Sequence, residues 1–166
     1  MKSIVIISDS HGNVKNLEKL LPIFNENDFV VHLGDGIGDM RFLLRQEETL
    51  YNKFYGCAGN CDFSSPYPLE GIFSVENVDI FYCHGHNYRV KSTLAELAQR
   101  AKQKGCQVAL YGHTHTPNIT EIDGVTLINP GSLRYPLHQG GSYCYMVIHG
   151  EKITPVIVGN SLNESK

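Results

Sequence analysis

The residues able to do chemistry fall into five short clusters. They are Asp9-Ser10-His11, Gly34-Asp35, Gly59-Asn60-Cys61-Asp62, His84-Gly85-His86 and Gly112-His113-Thr114-His115. Each taken alone has a plain reading. An Asp-x-His in a loop is usually a cap or a solvated turn, and Gly-Asp or Gly-Asn is usually a turn. The two His pairs are harder to dismiss, since core packing gives no reason to place two imidazoles straight after an apolar strand. Taken together, five turns would have to bring metal-capable groups to strand ends by coincidence. The donors are imidazole, carboxylate and one neutral amide, with no obligatory cysteine. That nitrogen and oxygen set suits manganese, iron, zinc or cobalt better than a structural zinc. Seven candidate ligands (Asp9, His11, Asp35, Asn60, His84, His113 and His115) exceed what one ion needs. A carboxylate shared between two ions would distribute them. Paired metals roughly 3.5–4 Å apart are the usual clamp for phosphoryl transfer.

Elements of the right kind stand before each cluster. The apolar, β-branched run 3–8 reads as a buried strand ending at Asp9. Residues 13–25 carry Val14, Leu17, Leu20, Leu21 and Phe24 at helical spacing, with Asn13 as N-cap. Strands are expected at 29–33 and 53–57 with a helix over 39–48 between them. Strands 71–76 and 78–83 pair around Glu76-Asn77. A helix over about 92–104 opens on a capping box of Thr93 and Glu96 and closes at Gly105. Strand 107–111 leads to Gly112. A hairpin covers 118–122 and 125–129 with Asp123-Gly124 at its turn, and strands 142–149 and 152–158 pair around Gly150-Glu151. Units of β-α-β followed by hairpins fit an α/β protein of two mixed sheets packed face to face with helices outside. In open α/β sheets ligands collect beyond the carboxyl ends of the strands, so the clusters can converge there.

Length and composition set the frame. The 166 residues suit one compact domain over 1–159, which buries roughly 70% of its unfolded surface, with a frayed, flexible tail at 160–166. Hydrophobic residues make up 42% and charged residues 19%, a globular balance. No apolar run approaches the ~20 residues of a membrane span. The N-terminus reads as a first strand, not a leader. The net charge of −3 and the lack of a basic run argue against nucleic acid as an obligate partner. Five cysteines without a CxxC pair read as reduced thiols in a cytoplasmic protein.

In order and approximate spacing the five clusters, with Asn129-Pro130-Gly131-Ser132 after them, resemble the calcineurin-like metallophosphoesterases. The resemblance runs from residue 4 to about 158 and is strongest to the small single-domain bacterial and archaeal phosphodiesterases. It implies a four-layer α/β/β/α sandwich. It also implies that Asp9, His11 and His115 hold one divalent metal, that Asn60, His84 and His113 hold a second, and that Asp35 bridges them. A hydroxide between the ions would attack phosphorus in line. Manganese is the first expectation, with Ni²⁺, Zn²⁺, Fe²⁺, Co²⁺ and Mg²⁺ as alternatives. Cys61 stands where many relatives carry a histidine that assists the leaving group. A thiol is a weak donor, so monoesters should suffer most and small phosphodiesters are the expected substrates. Asn60 and His86 are placed at the substrate, and Asp35 and Cys61 in catalysis. Asp62 is expected to support the loop and Arg134 to be a solvated surface residue. His32, His138 and His149 receive no function. A phosphomonoesterase, a nuclease of the same superfamily and a protein-binding scaffold like the retromer cargo-recognition subunit are the competing readings. Homo-oligomerisation is left open.

Overall fold

The computed structural model describes residues 1–159. The tail expected at 160–166 lies outside the described residues. Among the described residues ten strands form two five-stranded sheets. The first has the order β10-β9-β1-β2-β3, from Lys152–Gly159, Ser142–His149, Lys2–Ile7, Phe29–His32 and Phe54–Gly56. The second has the order β4-β5-β6-β8-β7, from Glu70–Val75, Val78–Cys83, Val108–Leu110, Val125–Asn129 and Asn118–Ile122.

Alternation along the strands explains the layers, because successive side chains point to opposite faces of a sheet. Ile4 and Ile6 of β1 join Val31, Ile80, Leu110 and Ile128 in a core between the two sheets. Val5 and Ile7, one residue out of phase, face the other way onto Leu17, Leu20 and Phe24 of α1, Val14–Glu26. On the second sheet Phe81, Ala109 and Leu127 likewise turn outward onto Leu97, Ala98 and Ala101 of the last helix, Ala95–Gln103. Three apolar cores therefore separate four layers, helix, sheet, sheet and helix, as the strand pattern and the resemblance had implied.

Two local expectations fail. The helix expected over 39–48 is three short pieces: a 3₁₀ turn Ile37–Met40, α2 Arg41–Gln46 and α3 Glu48–Tyr51. Glu47, non-helical at φ −119° and ψ 89°, separates the last two. The helix expected from about 92 begins at Ala95 as α4, and its capping box does not form. Thr93 Oγ1 accepts the Ala95 amide at 3.2 Å, while Glu96 turns to the Arg89 guanidinium, with Nε at 2.9 Å. An ion pair outcompetes a single backbone amide for that carboxylate. Asn13 does cap α1, accepting from Asn16 N.

The strand directions decide where the loops go. Strands β1, β2 and β3 run parallel to one another, and so do β5, β6 and β8. Their carboxyl ends therefore lie on one edge of each sheet. Asp9, Asp35 and Asn60 follow the first three, and His84, His113 and Asn129 follow or end the others.

Candidate metal centre

The site is built on backbone bent into an uncommon shape. Asp9, His11, Asp35, His113 and His115 all have positive φ, between 44° and 68°. Non-glycine residues seldom adopt this region, and each such residue costs about 1–3 kcal/mol unless its surroundings hold it. Here the surroundings do. Asp9 N donates to Gly34 O at 3.0 Å and His11 N to Asp35 O at 3.1 Å, which ties the first loop to the second. Asp62 gathers four amides, from Asp35 (2.7 Å), Gly36 (2.9 Å), Ile37 (3.2 Å) and Gly59 (2.8 Å). This carboxylate is the brace of the second and third loops, the supporting place expected for it. Ser132 Oγ donates to Asp9 O at 2.8 Å, and Asn129 Nδ2 donates to Gly112 O at 3.0 Å.

Two glycines are required by close approach. A Cβ on Gly59 would lie 2.1 Å from Asp35 Oδ1, and one on Gly112 would lie 2.1 Å from Ser8 Oγ. Both are shorter than any real contact.

Each carboxylate has one oxygen tied down and one presented. Asp9 Oδ2 accepts from Ser8 Oγ at 2.5 Å and from His113 N at 3.1 Å. Asp9 Oδ1 is buried and accepts no hydrogen bond from the described residues, though His115 Nε2 stands 3.1 Å and His11 Nε2 3.7 Å away. Asp35 Oδ1 accepts the Cys61 amide at 2.8 Å. Asp35 Oδ2 lies 3.3 Å from His84 Nε2 and 3.9 Å from His11 Nε2, between the two His groups. On the far side His84 Nε2 is 3.2 Å from His113 Nδ1. His84 Nδ1 donates to Leu33 O at 2.7 Å, which fixes the tautomer that leaves Nε2 facing the site.

Electrostatics show what the cluster lacks. Burial pushes the Asp35 carboxyl up, but hydrogen bonds from His84 and the Cys61 amide hold it far below the usual carboxylate range. Asp9 is likewise lowered against the penalty of burial, by His115, His84 and Ser8. Burial lowers His84, and the hydrogen bond to Asp35 with the charges of Asp9 and Asp35 more than reverses it. Burial and the nearby His84 push His113 down to about 4. Two buried carboxylates thus draw positive charge onto the one imidazole best placed to carry it. A divalent cation would meet the same demand. The orphaned Asp9 Oδ1 and the facing ring nitrogens fit such an ion. Ligand atoms of Asp9, His11 and His115 lie within 4.8 Å of one another, as do those of Asp35, His84 and His113, and those of His11, Asp35 and Cys61.

The remaining candidates sit at the rim. Asn60 is exposed beside Cys61, its amide nitrogen 3.5 Å from Cys61 Sγ. Cys61 is also exposed; burial and then Asp35 push its thiol above the ordinary value. His86 opens a short 3₁₀ turn with its ring centroid 5.4 Å from His84 and 6.2 Å from His113. Its Nδ1 is buried without a hydrogen-bond partner among the described residues. Arg134 is exposed, its guanidinium 5.9 Å from the Tyr135 ring centroid.

Sequence reading passed over His32. It is fully buried, accepts the Gly34 amide on Nδ1 at 3.1 Å and donates from Nε2 to Ser10 Oγ at 3.1 Å. Ser10 Oγ passes the chain to Asp39 Oδ2 at 2.7 Å, which also accepts Gly12 N at 2.8 Å. His32 therefore locks the loops of Asp9 and Asp35 from beneath. Burial forces it neutral, with its pKa pushed down to about 4. A polar ring inside the apolar run before Gly34-Asp35 was the available signal.

Comparison with known proteins places this geometry. Residues 1–152 match the calcineurin-like phosphoesterase superfamily domain. A phosphodiesterase of Methanocaldococcus jannaschii is 31% identical over 144 residues, covering 77% of this chain and 82% of that protein. The crystal structure of a predicted phosphoesterase from Streptococcus pneumoniae superposes with a TM-score of 0.77 at 25% identity, covering 96% of this chain and 90% of the other. Vacuolar Protein Sorting 29 of Cryptosporidium parvum shares the fold with a TM-score of 0.74 at 16% identity, covering 94% of this chain and 96% of its own.

Proposed function

The chain belongs to the calcineurin-like phosphoesterase superfamily, and from that premise we propose that it is a two-metal phosphodiesterase acting on small phosphodiesters. The observation that carries this is the position of Asp35 Oδ2, within 3.9 Å of imidazoles from both metal-capable sets. Asp9, His11 and His115 would hold one ion. Asn60, His84 and His113 would hold the other, with Asp35 shared. Divalent ions there would supply the positive charge that activates a water nucleophile and offsets charge on the phosphoryl oxygens. The nitrogen and oxygen donors favour Mn²⁺ among the first-row ions, with cellular supply deciding the rest.

The chain's own residues would do the positioning. Asp62 and His32 hold the Asp35 loop, and His84 keeps its tautomer through Leu33 O. His86 and Asn60, at the rim, would meet the phosphate. Cys61 stands beside Asp35 as a neutral thiol and is a poor proton donor. A diester builds less charge on its leaving side than a monoester does, so this rim favours diesters. The partner is thus a small molecule, and neither nucleic acid nor a membrane is required. No helix among the described residues is long and apolar enough to cross a membrane. Five free cysteines support a cytoplasmic setting.

The test uses bis(p-nitrophenyl) phosphate and p-nitrophenyl phosphate with chelator-stripped protein reloaded with Mn²⁺, Ni²⁺, Zn²⁺ or Mg²⁺. Metal-dependent turnover faster on the diester is expected. A folded, metal-loaded protein that turns over neither ester would overturn the proposal in favour of a binding scaffold. Cys61→His should raise the monoester rate relative to the diester rate by about tenfold or more, within the usual reach of general acid catalysis. An unchanged ratio would remove Cys61 from the mechanism.

A further inference from the structure

The chain that leaves the metal centre at Asp62 does not rejoin a sheet at once. Residues 62–67 fold against α2 and the 3₁₀ turn before it, enclosing a pocket of about 320 Å³. Ile37, Leu44, Phe63 and Tyr67 form apolar walls, with Arg41 and Arg45 among the lining. A second hollow shares Tyr51, Pro66 and Tyr67 and extends it to Phe54. This size suits a small organic ligand.

Three observations point to what it holds. The first is continuity. Asp62 lines the pocket and also gathers the amides of Asp35, Gly36, Ile37 and Gly59, so pocket and metal centre share one brace. Cys61, at the rim of the metal centre, is the preceding residue. The second is uncovered aromatic surface. Phe63 is 89% exposed and Tyr51 65%, and rings so placed offer faces for stacking. The third is charge. Arg41 and Arg45, four residues apart on α2, share one face. Among the described residues neither has an ion-pair partner within 4 Å, whereas Arg89 and Arg100 are paired with Glu96 and Glu70. Asp62, the carboxylate in the same lining, is taken up by four backbone amides, so two unpaired guanidinium groups fit a phosphate.

We propose that this pocket is a second substrate anchor, taking an aromatic ring and a further anionic group of a phosphodiester whose scissile phosphate lies at the metal centre. The inference rests on the phosphodiesterase reading and narrows it to nucleotide-like diesters bearing an extra phosphate. Arg41 and Arg45 hold that phosphate, and Phe63, Tyr51 and Tyr67 hold the ring. Simple aryl diesters reach only the metal centre.

The probes are the dinucleotides pApA and ApA, which differ by one terminal phosphate. With the full chain in chelator, NMR titration of pApA should shift resonances across residues 37–67. Affinity should fall about tenfold or more for ApA, and equally for the exposed double variant R41A/R45A. With Mn²⁺ loaded, that variant should keep wild-type turnover of bis(p-nitrophenyl) phosphate and lose about tenfold in kcat/KM for pApA, through KM. Absence of shifts in 37–67, or equal affinity of wild type and double variant, overturns the proposal. So does a concentration-dependent dimer that buries the pocket and is abolished by Phe63→Ala. If pApA binds in the pocket but no diester is hydrolysed with any metal, the pocket stands as a nucleotide site and the phosphodiesterase reading falls.

Discussion

At the carboxyl ends of the parallel strands Asp9, His11, Asp35, His113 and His115 have positive φ, and at the opposite ends Glu76, Asp123, Gly124 and Gly150 do so too. The same backbone conformation does two different things. In the hairpins it is what a tight turn between antiparallel strands demands. Those turns face solvent, and a Cβ on Gly124 or Gly150 would meet nothing within 4 Å. At the other pole the conformation lies in loops that no hairpin closes, so it must be restrained by other segments. The restraint comes from elsewhere in the chain: Asp62 on the amides of 35–37, Ser132 on Asp9 O, His32 on Gly34 N. One pole is shaped by its own turn residues, with a single side-chain link between turns from Glu76 to the Gly150 amide. The other is a strained shell held by remote partners, which is the usual mark of a working site.

The largest contrast should appear on exchanging one carboxylate at each pole. Asp35→Asn removes a charge that faces both His sets. Diester turnover should fall by more than about 100-fold, beyond the 10–100-fold typical of groups that merely orient ligands. Mn²⁺ affinity measured by calorimetry should fall with it. Asp123→Asn, in an exposed hairpin turn, should change neither. A loss at Asp123 comparable to that at Asp35 would break the distinction between the poles.

The next effect is on stability against pH. His32 titrates near 4 in the folded protein and near 6.5 as a free side chain. Between those values the unfolded chain binds the proton and the folded chain does not. Stability from this residue is therefore complete above about pH 6.5, falls as pH drops toward about 4, and falls no further below. Each pH unit in that window costs about 1.4 kcal/mol, so the whole is about 3 kcal/mol. In chelator, His32→Gln should flatten denaturant-derived stability between pH 6.5 and 4 by up to that slope. An identical slope in the variant would show that His32 is not held neutral.

How much of this could be read from the sequence follows the same division. The hairpin at Asp123-Gly124 was legible because its signal is two adjacent residues. The strands were legible because alternation is local, and the five clusters because acids and imidazoles beside glycine after apolar runs are conspicuous. Of the supports only Asp62 was anticipated, and which groups the supports hold was not legible. Asp62 acts on amides some 26 residues away, Ser132 on a carbonyl 123 residues away, and His32 on Ser10 across two strands. The capping box failed because Arg89, outside the motif, took its glutamate. The pocket beside Asp62 was invisible for a related reason: its walls come from 37–51 and 62–67, joined only by the fold.

The finest comparison uses one methyl group at each pole. Gly112 has no positive φ, so an alanine there suffers only from its neighbours, Ser8 Oγ at 2.1 Å and Asp9 Oδ2 at 2.7 Å. Relieving that clash must displace the hydroxyl that holds Asp9 or the loop that carries His113. Overpacking of this kind costs about 1–3 kcal/mol, and moving Asp9 by about 1 Å should cost on the order of 100-fold in turnover. Gly124→Ala meets no atom but places a Cβ at φ +80°, a strain of about 1–2 kcal/mol with no route to the site. Thermal unfolding should thus register both substitutions to a similar degree, while diester turnover separates them. If Gly112→Ala loses stability but keeps its activity, Asp9 is not held by Ser8, and the restrained shell extends less far than the hydrogen bonds around it imply.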